Sequence, residues 1–468
     1  MMKQRGLPRR MIAANEDEFG LHYRALKFPG RLRRLSAERR RQVLLDALAG
    51  QLHWAAGGTK PHIGQLSPGC QQCVAGAWSC LFINAHCNAS CFYCPTPQDR
   101  SEVPATNNLL FRHPAAYAAY LQRLGFSGAS ISGGEPLLTL NRTLAFLRAA
   151  RTALGPEGHL WMYTNGILLT REIAAQLAAA GLDEIRFDIG ATDYHCKKIA
   201  AATGLIKVIS VEIPAVPESV NILQQVLPTL PALGVSHLNL HQLRLTRHNF
   251  RHLTERNYTF LHGEKITVLD SELAALEILG FVARTRLNLP VNYCSFVFKH
   301  RHQQAAARRR AAQLDMRPLE TVTEAGYLRR VALCGEPEQL QKQIGLWLQA
   351  GLSSDFWNWS SASSQLQIAP RLLSQVRWHR LRLSVAYDQV QLKQQGNPEK
   401  GDWPLPLEPG PAASVVRRAA SEEFLLGPTA ARSYVRNWLE GERAEFLPVE
   451  QRGFSEWESI PVGLQRYF

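Results

Sequence analysis

The strongest constraint on the fold is a repeated alternation of short apolar segments with amphipathic helical patterns. Six segments have the length and composition of buried strands, at residues 80–85, 129–132, 160–164, 184–189, 206–213 and 237–243. Helical patterns lie between most of them, opened for example by Pro114 or capped by Thr170. This alternation predicts βαβ units built around a parallel sheet.

The number of units predicts the architecture. Six units favour a partial (β/α)6 barrel over a complete eightfold barrel. Since ligands gather at the carboxyl ends of parallel strands, functional motifs should directly follow strands. We expect a basic helical N-terminal extension (1–68), a core with an upstream cysteine loop (69–245), a helical extension of the core (246–350) and a smaller C-terminal α+β accessory domain (351–468).

The chain has nine cysteines, and six of them lie between Cys70 and Cys94. A disulfide framework is typical of short exported chains, but the basic residues 1–10 are not followed by the apolar core of a secretion signal. No apolar run reaches the roughly 18 residues of a membrane span. We therefore expect a cytoplasmic protein without membrane contact, whose clustered thiols hold metal.

One interpretation of the cysteines is a zinc site. Cys70 and Cys73 form one C-x2-C pair, and Cys91 and Cys94 form a second at a spacing that fits a zinc ribbon. This interpretation leaves the other two cysteines of the stretch without a role. It also predicts nothing about the rest of the chain.

The other interpretation takes Cys87, Cys91 and Cys94 as C-x3-C-x2-C on the loop after the first predicted strand. Three thiolates on one tight loop can hold three irons of a cubane and leave the fourth iron open. With Tyr93 before the last cysteine, the motif resembles the radical SAM signature. The resemblance implies a [4Fe–4S] cluster that binds S-adenosylmethionine (SAM). One electron from a flavodoxin- or ferredoxin-type donor then cleaves the C5′–S bond to a 5′-deoxyadenosyl radical.

Further motifs fall at the ends of successive predicted strands. The glycines after the second strand resemble the family's GGEP motif, whose backbone meets the SAM amino group. Polar strand-end side chains hold the ribose hydroxyls and the methionine carboxylate in this family. The resemblance thus implies a SAM site formed by Tyr93, Gly133, Gly134, Glu135, Pro136, Thr164, Asn165, Asp188 and Glu212. Taken singly, Asp188 or Glu212 is equally well explained as one partner of an ordinary salt bridge.

The upstream cysteines Cys70, Cys73 and Cys80 can bind a second metal, one iron or zinc, with a fourth ligand such as Cys294; reduced thiols without metal are the alternative. Their arrangement resembles a group related to pyruvate formate-lyase-activating enzymes, which includes the methanogenesis marker enzyme that C-methylates a protein arginine. That resemblance implies the second metal and cobalamin as methyl carrier. An Asp-x-His-x-x-Gly cobalamin motif is absent from the sequence.

Three activities follow as hypotheses. The leading one is C-methylation of a protein or peptide side chain; the alternatives are activation of a glycyl-radical enzyme and modification of RNA. The net charge of +14, concentrated in the first fifty residues and around 299–310, suits an acidic protein partner or a nucleic acid. Since no aromatic RNA-binding motif is evident, we expect a protein or peptide substrate.

Overall fold

The computed structural model describes residues 6–98, 103–359, 364–394, 402–407, 413–440 and 453–468. The chain divides into two compact units. Unit 1 comprises Met1–Gln303, Leu407–Pro411 and Val462–Phe468, and unit 2 comprises Gln304–Pro406 and Ala412–Pro461.

The elements of unit 1 follow the alternation expected from the sequence. Its described strands are β1 (His53–Ala55), β2 (Lys60–Ile63), β3 (Trp78–Phe82), β4 (Ala105–Thr106), β5 (Leu109–Leu110), β6 (Gly128–Ser132), β7 (His159–Thr164), β8 (Glu184–Phe187), β9 (Val208–Pro214), β10 (His237–His241), β11 (Phe260–Leu261), β12 (Thr267–Val268) and β13 (Val291–Cys294). Its helices are α1 (Gly6–Phe19), α2 (Arg31–Asp46), α3 (Pro68–Ala75), α4 (Pro114–Arg123), α5 (Leu140–Leu154), α6 (Arg171–Ala179), α7 (Val220–Val226), α8 (Phe250–Thr254) and α9 (Leu269–Thr285).

A parallel sheet forms the centre of unit 1 and confirms the predicted α/β class. In the described residues, seven strands lie side by side in the order β3-β6-β7-β8-β9-β10-β13, and every neighbouring pair is parallel. Six of them correspond to the six predicted strands. The seventh, β13, comes from an apolar stretch in a region expected to be mainly helical. Antiparallel strands extend the sheet at both edges, β4 and β5 beyond β3, and β2 and β1 beyond β13.

Local signals in the sequence mark several helix starts. The Thr170 side chain accepts a hydrogen bond from the Ile173 amide and caps α6 as predicted. The N-terminal segment is helical as expected, and α2 begins after Gly30, which takes the extended N-cap conformation (φ −66°, ψ 171°). Among the described residues, no helix is both long and apolar enough to cross a membrane.

Helix α3 packs against one face of the parallel sheet, here called the inner face. Ser67 caps the helix by accepting a hydrogen bond from the Cys70 amide at 3.3 Å. The Gly69 amide donates to Glu184 Oε2 on β8 at 2.9 Å. A Cβ on Gly69 would overlap the buried guanidinium of Arg186, so only glycine allows α3 this close to the sheet.

The last residues of the chain belong to the core of unit 1. Gln465 and Tyr467 are each 3% exposed. The Tyr467 hydroxyl donates to the buried Glu272 carboxylate on α9 at 2.5 Å, and the Arg41 guanidinium lies 4.2 Å from the centre of the Tyr467 ring. Thr267 on β12 donates to the Gln465 side chain at 3.2 Å. This segment therefore joins α2, α9 and β12 into one packed layer.

Unit 2 is a smaller α+β unit with an antiparallel sheet, as expected for a C-terminal accessory domain. Its described strands are β14 (Thr321–Val322), β15 (Leu328–Cys334), β16 (Trp357–Trp359), β17 (Gln365–Ile368), β18 (Arg382–Gln394), β19 (Trp403–Leu405), β20 (Ala413–Ala419) and β21 (Phe424–Leu426). Its helices are α10 (Gln304–Asp315), α11 (Pro337–Gln349), α12 (Pro428–Tyr434) and α13 (Ser455–Glu458). The sheet order is β16-β17-β15-β18-β20-β19, with β14 on β15 and β21 on β18.

The core of unit 2 contains a buried ion pair in place of purely apolar packing. Glu458 on α13 accepts hydrogen bonds from the Tyr387 hydroxyl at 2.6 Å and from the Tyr434 hydroxyl at 2.5 Å. Its second oxygen pairs with Arg329 at 2.7 Å. Because each charged atom has a partner, the carboxylate is tolerated inside the core. β15, which carries Arg329, lies in the segment 246–350, which was expected to be helical.

The space around Gly69 yields a stability test. Replacing Gly69 with Ala should lower the free energy of unfolding by about 1–3 kcal/mol, because the new methyl group overpacks the Arg186 guanidinium. Gly345 in α11 is the matched control: it is also helical, and nothing lies within 4 Å of a Cβ placed on it. Gly345→Ala should raise stability by up to about 1 kcal/mol. Denaturant unfolding followed by circular dichroism measures both; equal effects of the two changes would contradict the proposed packing of α3.

Candidate functional site

The loop after β3 carries the three cysteines of the C-x3-C-x2-C motif. Cys87, Cys91 and Cys94 are all partly exposed on this loop. The Cys94 amide donates to the Cys91 carbonyl oxygen at 3.0 Å, which closes a tight turn between the second and third cysteines. The parallel pairing of β3 with β6 places this cysteine loop beside the glycines that follow β6.

The glycine motif after β6 contacts the cysteine loop through its backbone. The Gly134 amide donates to the Asn84 carbonyl oxygen at 3.0 Å, and the Glu135 amide donates to the His86 carbonyl oxygen at 2.6 Å. A Cβ on Gly134 would overlap the His86 carbonyl, and one on Gly133, where φ is +138°, would overlap the Asn84 carbonyl. The two glycines are therefore required for this backbone contact.

The side chain of Glu135 joins the glycine motif to the end of β7. It is 1% exposed, and its carboxylate accepts hydrogen bonds from the Leu137 amide at 3.0 Å, the Thr164 hydroxyl at 2.8 Å and the Asn165 amide at 2.8 Å. Burial raises the carboxyl pKa, while these three donors favour the ionised form. The carboxylate is thus committed to structural bonds, as is the Thr164 hydroxyl.

Two of the cysteine sulfurs accept hydrogen bonds. Cys87 Sγ accepts from the Ala89 amide at 3.5 Å and from Asn165 Nδ2 at 3.7 Å, and Cys94 Sγ accepts from Gln98 Nε2 at 3.8 Å. Burial raises the pKa of the Cys91 thiol to about 12, with a further contribution from nearby Asp188. Cys87, Cys91 and Cys94 supply the type of donor that holds the three ligated irons of a [4Fe–4S] cluster, but their side chains are not gathered into a metal-holding group in this structure.

Tyr93 and Asp188 form a second contact between the cysteine loop and the sheet. The Tyr93 hydroxyl donates to Asp188 Oδ1 at 2.9 Å, and the Gly190 amide donates to the same oxygen at 3.1 Å. Burial raises the pKa of Asp188 to about 6. Asp188 follows β8 directly, so this pair lies at the carboxyl end of the sheet.

Arg186 links three elements on the inner face. Its Nε donates to Glu184 Oε1 at 2.8 Å, one terminal nitrogen donates to Glu212 Oε2 at 2.6 Å, and the other donates to Ser67 at 3.2 Å. Burial opposes ionisation of Glu212, but Arg186 and other nearby cations hold its pKa below the usual value. Asn239 Nδ2 donates to Glu212 at 3.3 Å. Glu212 is therefore a charged, oriented carboxylate two residues before the end of β9.

The upstream cysteines lie on the inner face, apart from the C-x3-C-x2-C turn. Cys70 and Cys73 are buried on α3, and Cys80 is on β3. Burial raises the pKa of Cys80 to about 11. Cys294 at the end of β13 lies in the same apolar cluster as Cys73. Among the described residues, no group of three or more His, Cys, Asp or Glu side chains is arranged to hold a metal ion.

Lys60 on β2 is a buried cation next to these thiols. It is 0% exposed, donates to Asn292 Oδ1 at 2.6 Å and lies 4.8 Å from the centre of the Phe298 ring. Burial alone would lower its pKa, but Cys294, Cys70 and other nearby acidic groups hold it above the usual value. The inner face thus combines buried thiols with buried positive charge.

Lys60, Arg186, Asn239 and Asn292 have no role in the predictions made from the sequence. A signal was present for Arg186, since polar residues at 184, 186 and 188 alternate along a strand predicted to be buried, and side chains two residues apart share one face. Gly57, Gly58 and Pro61, which surround Lys60 in the sequence, are typical of a loop. No local pattern in the sequence indicated that β2, the strand that contains Lys60, pairs with β13.

Comparison with known proteins finds similarity to one superfamily over part of the chain. The sequence profile of the Radical SAM superfamily matches residues 81–209. A candidate glycyl-radical enzyme activating enzyme of Methanocaldococcus jannaschii is 28% identical over 292 residues, which cover 60% of this chain and 76% of the relative. A GTP 3′,8-cyclase of Mycobacterium marinum is 35% identical over 111 residues, covering 23% of this chain and 29% of the cyclase.

Solved structures give partial overlaps. SuiB of Streptococcus suis bound to SAM overlaps with a TM-score of 0.37 at 12% identity, covering 63% of this chain and 70% of SuiB. The radical SAM methyltransferase TsrM of Kitasatospora setae overlaps with a TM-score of 0.27 at 17% identity, covering 36% and 37% of the two chains. The assignment rests on the sequence matches: this chain carries a radical SAM domain and is a homologue of the M. jannaschii candidate activating enzyme.

Proposed function

We propose that this chain cleaves SAM reductively at a [4Fe–4S] cluster held by Cys87, Cys91 and Cys94. The observation that carries the proposal is the hydrogen-bonded contact between the cysteine loop and the motifs after β6 and β7. Gly134 bonds to Asn84, and Asn165 Nδ2 bonds to Asn88 Oδ1 at 2.7 Å. When bound, the cluster and SAM supply a 5′-deoxyadenosyl radical.

The remaining strand-end groups have separate parts in the proposed SAM site. The backbone of Gly133–Pro136 contacts the methionine moiety, and the Glu135 carboxylate holds that backbone in place. Asp188, fixed by Tyr93 and Gly190, and Glu212, fixed by Arg186, present oriented carboxylates to the ribose and amino groups. The Asn165 side chain bonds to the cysteine loop, so it positions the thiol of Cys87.

The proposed reaction is C-methylation of a protein or peptide side chain. It is supported by the resemblance of the upstream cysteines to the arginine-methylating group, which implies cobalamin and a metal on Cys70, Cys73 and Cys80. Buried Lys60 suits such a site, because a divalent ion bound by three thiolates has a net negative charge that the ammonium would balance. Residues other than Cys70, Cys73 and Cys80 would transfer protons and orient the substrate.

Activation of a glycyl-radical enzyme is the second candidate. The M. jannaschii relative, which carries that name, matches 60% of this chain. Both candidates begin with hydrogen abstraction by the same radical. They differ in whether a methyl group is then added or a backbone radical remains on the partner.

The first test concerns SAM cleavage. The anaerobically reconstituted protein, reduced with dithionite, should release 5′-deoxyadenosine from SAM, and Cys91→Ala should reduce the rate at least about a hundredfold because a cluster ligand is lost. Cys196→Ala is the matched control, since Cys196 is also partly exposed but lies after β8, outside the cysteine loop. Chromatography of the products measures the rate. Equal activity of wild type and Cys91→Ala would remove the proposal.

The second test concerns the glycine contact. Gly134→Ala should impair cluster loading, because the added methyl group pushes the His86 carbonyl and the adjoining Cys87 out of place. Iron content and visible absorbance after reconstitution should fall at least about twofold, with circular dichroism unchanged. Gly427→Ala is the control, since a Cβ there meets nothing within 4 Å. Normal iron loading in Gly134→Ala would show that this contact does not position the cluster ligands.

The third test separates the two reactions. With cobalamin, SAM labelled in its methyl group and proteins of the source cell as substrate, C-methylation predicts label bound covalently to a protein. Activation predicts no methyl transfer and an organic radical signal on a partner by electron paramagnetic resonance. Labelling that persists without cobalamin or in Cys91→Ala would not come from the proposed reaction.

A further inference from the structure

The carboxyl ends of β10 and β13 lie on the side of the sheet that the proposed SAM site leaves unused. The residues assigned to SAM follow β3, β6, β7 and β8 or lie on β9, whereas β10 and β13 are the next two strands in the sheet order. Because parallel sheets bind their ligands at the carboxyl ends of the strands, a substrate placed beside SAM would meet these two strand ends.

Arg244, three residues after β10, is a half-buried cation at this place. Its guanidinium carbon lies 5.7 Å from the centre of the Phe296 ring, and the Phe296 amide donates to Gln242 Oε1 at 3.1 Å, so the segments after β10 and β13 are in contact. Burial lowers the pKa of Arg244, and Glu18 offsets part of this effect. Glu18 itself pairs with Lys265 at 2.9 Å. In the described part of the chain, the Arg244 side chain has neither an ion-pair partner nor a hydrogen-bond acceptor.

Lys299 is a second half-buried cation, one helical turn after Phe296. The Lys299 amide donates to the Ser295 carbonyl oxygen at 3.3 Å, and the Phe298 amide donates to the Ser295 hydroxyl at 3.2 Å, so a helical turn begins directly after β13. Side chains three residues apart in such a turn are neighbours, which places Lys299 on the side of Phe296 and thus toward Arg244. Among the residues that the structure describes, Lys299 has no ion-pair partner.

The Lys299 ammonium acts on groups of the inner face. Burial opposes ionisation of Glu212, but Arg186 and Lys299 hold its pKa below the usual value. Burial and Lys299 also lower the pKa of His241, the last residue of β10, to about 3. The Glu212 carboxylate is already bound by Arg186 at 2.6 Å. The charge of Lys299 is therefore left without a carboxylate of its own beside the proposed SAM site.

Two half-buried cations without a carboxylate partner are costly for the fold. A charge taken out of water lowers stability unless an anion or a hydrogen-bond acceptor replaces the water. The planar guanidinium of Arg244 matches a carboxylate through two parallel hydrogen bonds, and the ammonium of Lys299 adds a point charge beside it. The pair therefore has the chemistry of a carboxylate-binding site at the carboxyl end of the sheet.

We propose that Arg244 and Lys299 bind a carboxylate of the protein or peptide substrate, close to the residue from which hydrogen is abstracted. The inference rests on the proposed function and deepens it, because it makes an acidic peptide the substrate class. The carboxylate would hold the peptide on the side of β10 and β13, opposite the motifs that follow β6 and β7. Its source is either an Asp or Glu side chain or the C-terminus of the peptide.

An RNA fits these two cations less well. A nucleic-acid backbone carries a negative charge at every nucleotide, and the carboxylates of Glu18 and Glu212 would repel the phosphates on either side of a bound one. A peptide carries its carboxylate between neutral groups and avoids this repulsion.

The test uses the full-length reconstituted protein with SAM, dithionite and cobalamin, and peptides from source cells grown in heavy water as the probe. Deuterium abstracted from a peptide carbon appears in 5′-deoxyadenosine, so the deuterated fraction of this product reports contact with the substrate in either candidate reaction. The peptide pool is used untreated, with all carboxylates converted to methylamides after digestion, and with the same conversion made before digestion. The last pool has free C-terminal carboxylates but no acidic side chains.

Conversion after digestion should lower the deuterated fraction about tenfold, because the charge-assisted hydrogen bonds to the carboxylate are lost. Conversion before digestion identifies the source of the carboxylate. A fraction that stays low assigns it to an Asp or Glu side chain, and a recovered fraction assigns it to the C-terminus. Mass spectrometry of 5′-deoxyadenosine measures all three fractions.

Arg244→Gln/Lys299→Gln should lower the deuterated fraction from the untreated pool about tenfold and make it insensitive to methylamide formation. Arg244→Lys/Lys299→Arg, which keeps both charges, should keep at least about half of the wild-type fraction. Arg123→Gln/Lys207→Gln is the matched control, because it removes the same two charges from exposed residues that precede β6 and β9, and it should give the wild-type fraction. Since the fraction is a ratio, it does not depend on how much of each variant carries a cluster.

Equal deuterated fractions from the untreated pool and from the pool converted after digestion would overturn the carboxylate site. Equal fractions for Arg244→Gln/Lys299→Gln and the control variant would also overturn it, as would 5′-deoxyadenosine without deuterium from every peptide pool. Deuterium transfer from RNA of the same cells that is lost in Arg244→Gln/Lys299→Gln would assign the two cations to RNA instead. Absence of 5′-deoxyadenosine in the wild-type reaction would remove the proposed function itself.

Discussion

The guanidinium of Arg186 organises the inside of unit 1. It lies 2% exposed on β8 and is shared by Glu184, Glu212 and Ser67. Such a cation is costly to bury unless every N–H group has a partner, and the partners here come from β8, β9 and the start of α3. Because those partners are fixed by the charge, α3 is held on the sheet and Glu212 is held on the inner face. The positions of the site residues thus depend on Arg186, a residue of the strand β8 and not of the loops that follow the strands.

A second set of bonds sets the loops above the sheet. Glu135, which follows β6, accepts hydrogen bonds from Thr164 and Asn165 at the end of β7. The Gly134 amide donates a hydrogen bond to the cysteine loop. The motif glycines and the motif glutamate therefore act in different ways: the glycines permit close contact, and the carboxylate makes it rigid. Binding groups held by bonds of this kind need little rearrangement when a ligand arrives.

Much of this was readable from the sequence, for physical reasons. Parallel strands buried on both faces appear as continuous apolar runs, and the C-x3-C-x2-C and Gly133–Pro136 motifs fall at their ends in chain order. What could not be read depends on pairing between distant segments. Lys60 looks like a loop residue until β2 pairs with β13, and Leu328–Cys334 looks like part of a helical region until β17 and β18 pair with it. The contact of Arg256 with Phe92 likewise joins residues more than 160 positions apart.

The chain order of the two units has a consequence for biosynthesis. Gln465 and Tyr467 complete the layer formed by α2, α9 and β12 in unit 1, yet all of unit 2 is encoded before them. During translation, most of unit 1 emerges first with Glu272 and Arg41 lacking their contacts to Tyr467, and more than 150 further residues are synthesised before Tyr467. The first unit to be synthesised is therefore the last to be completed. The buried Glu272 carboxylate reaches its final set of hydrogen bonds only after all of unit 2 has been synthesised and has had time to fold.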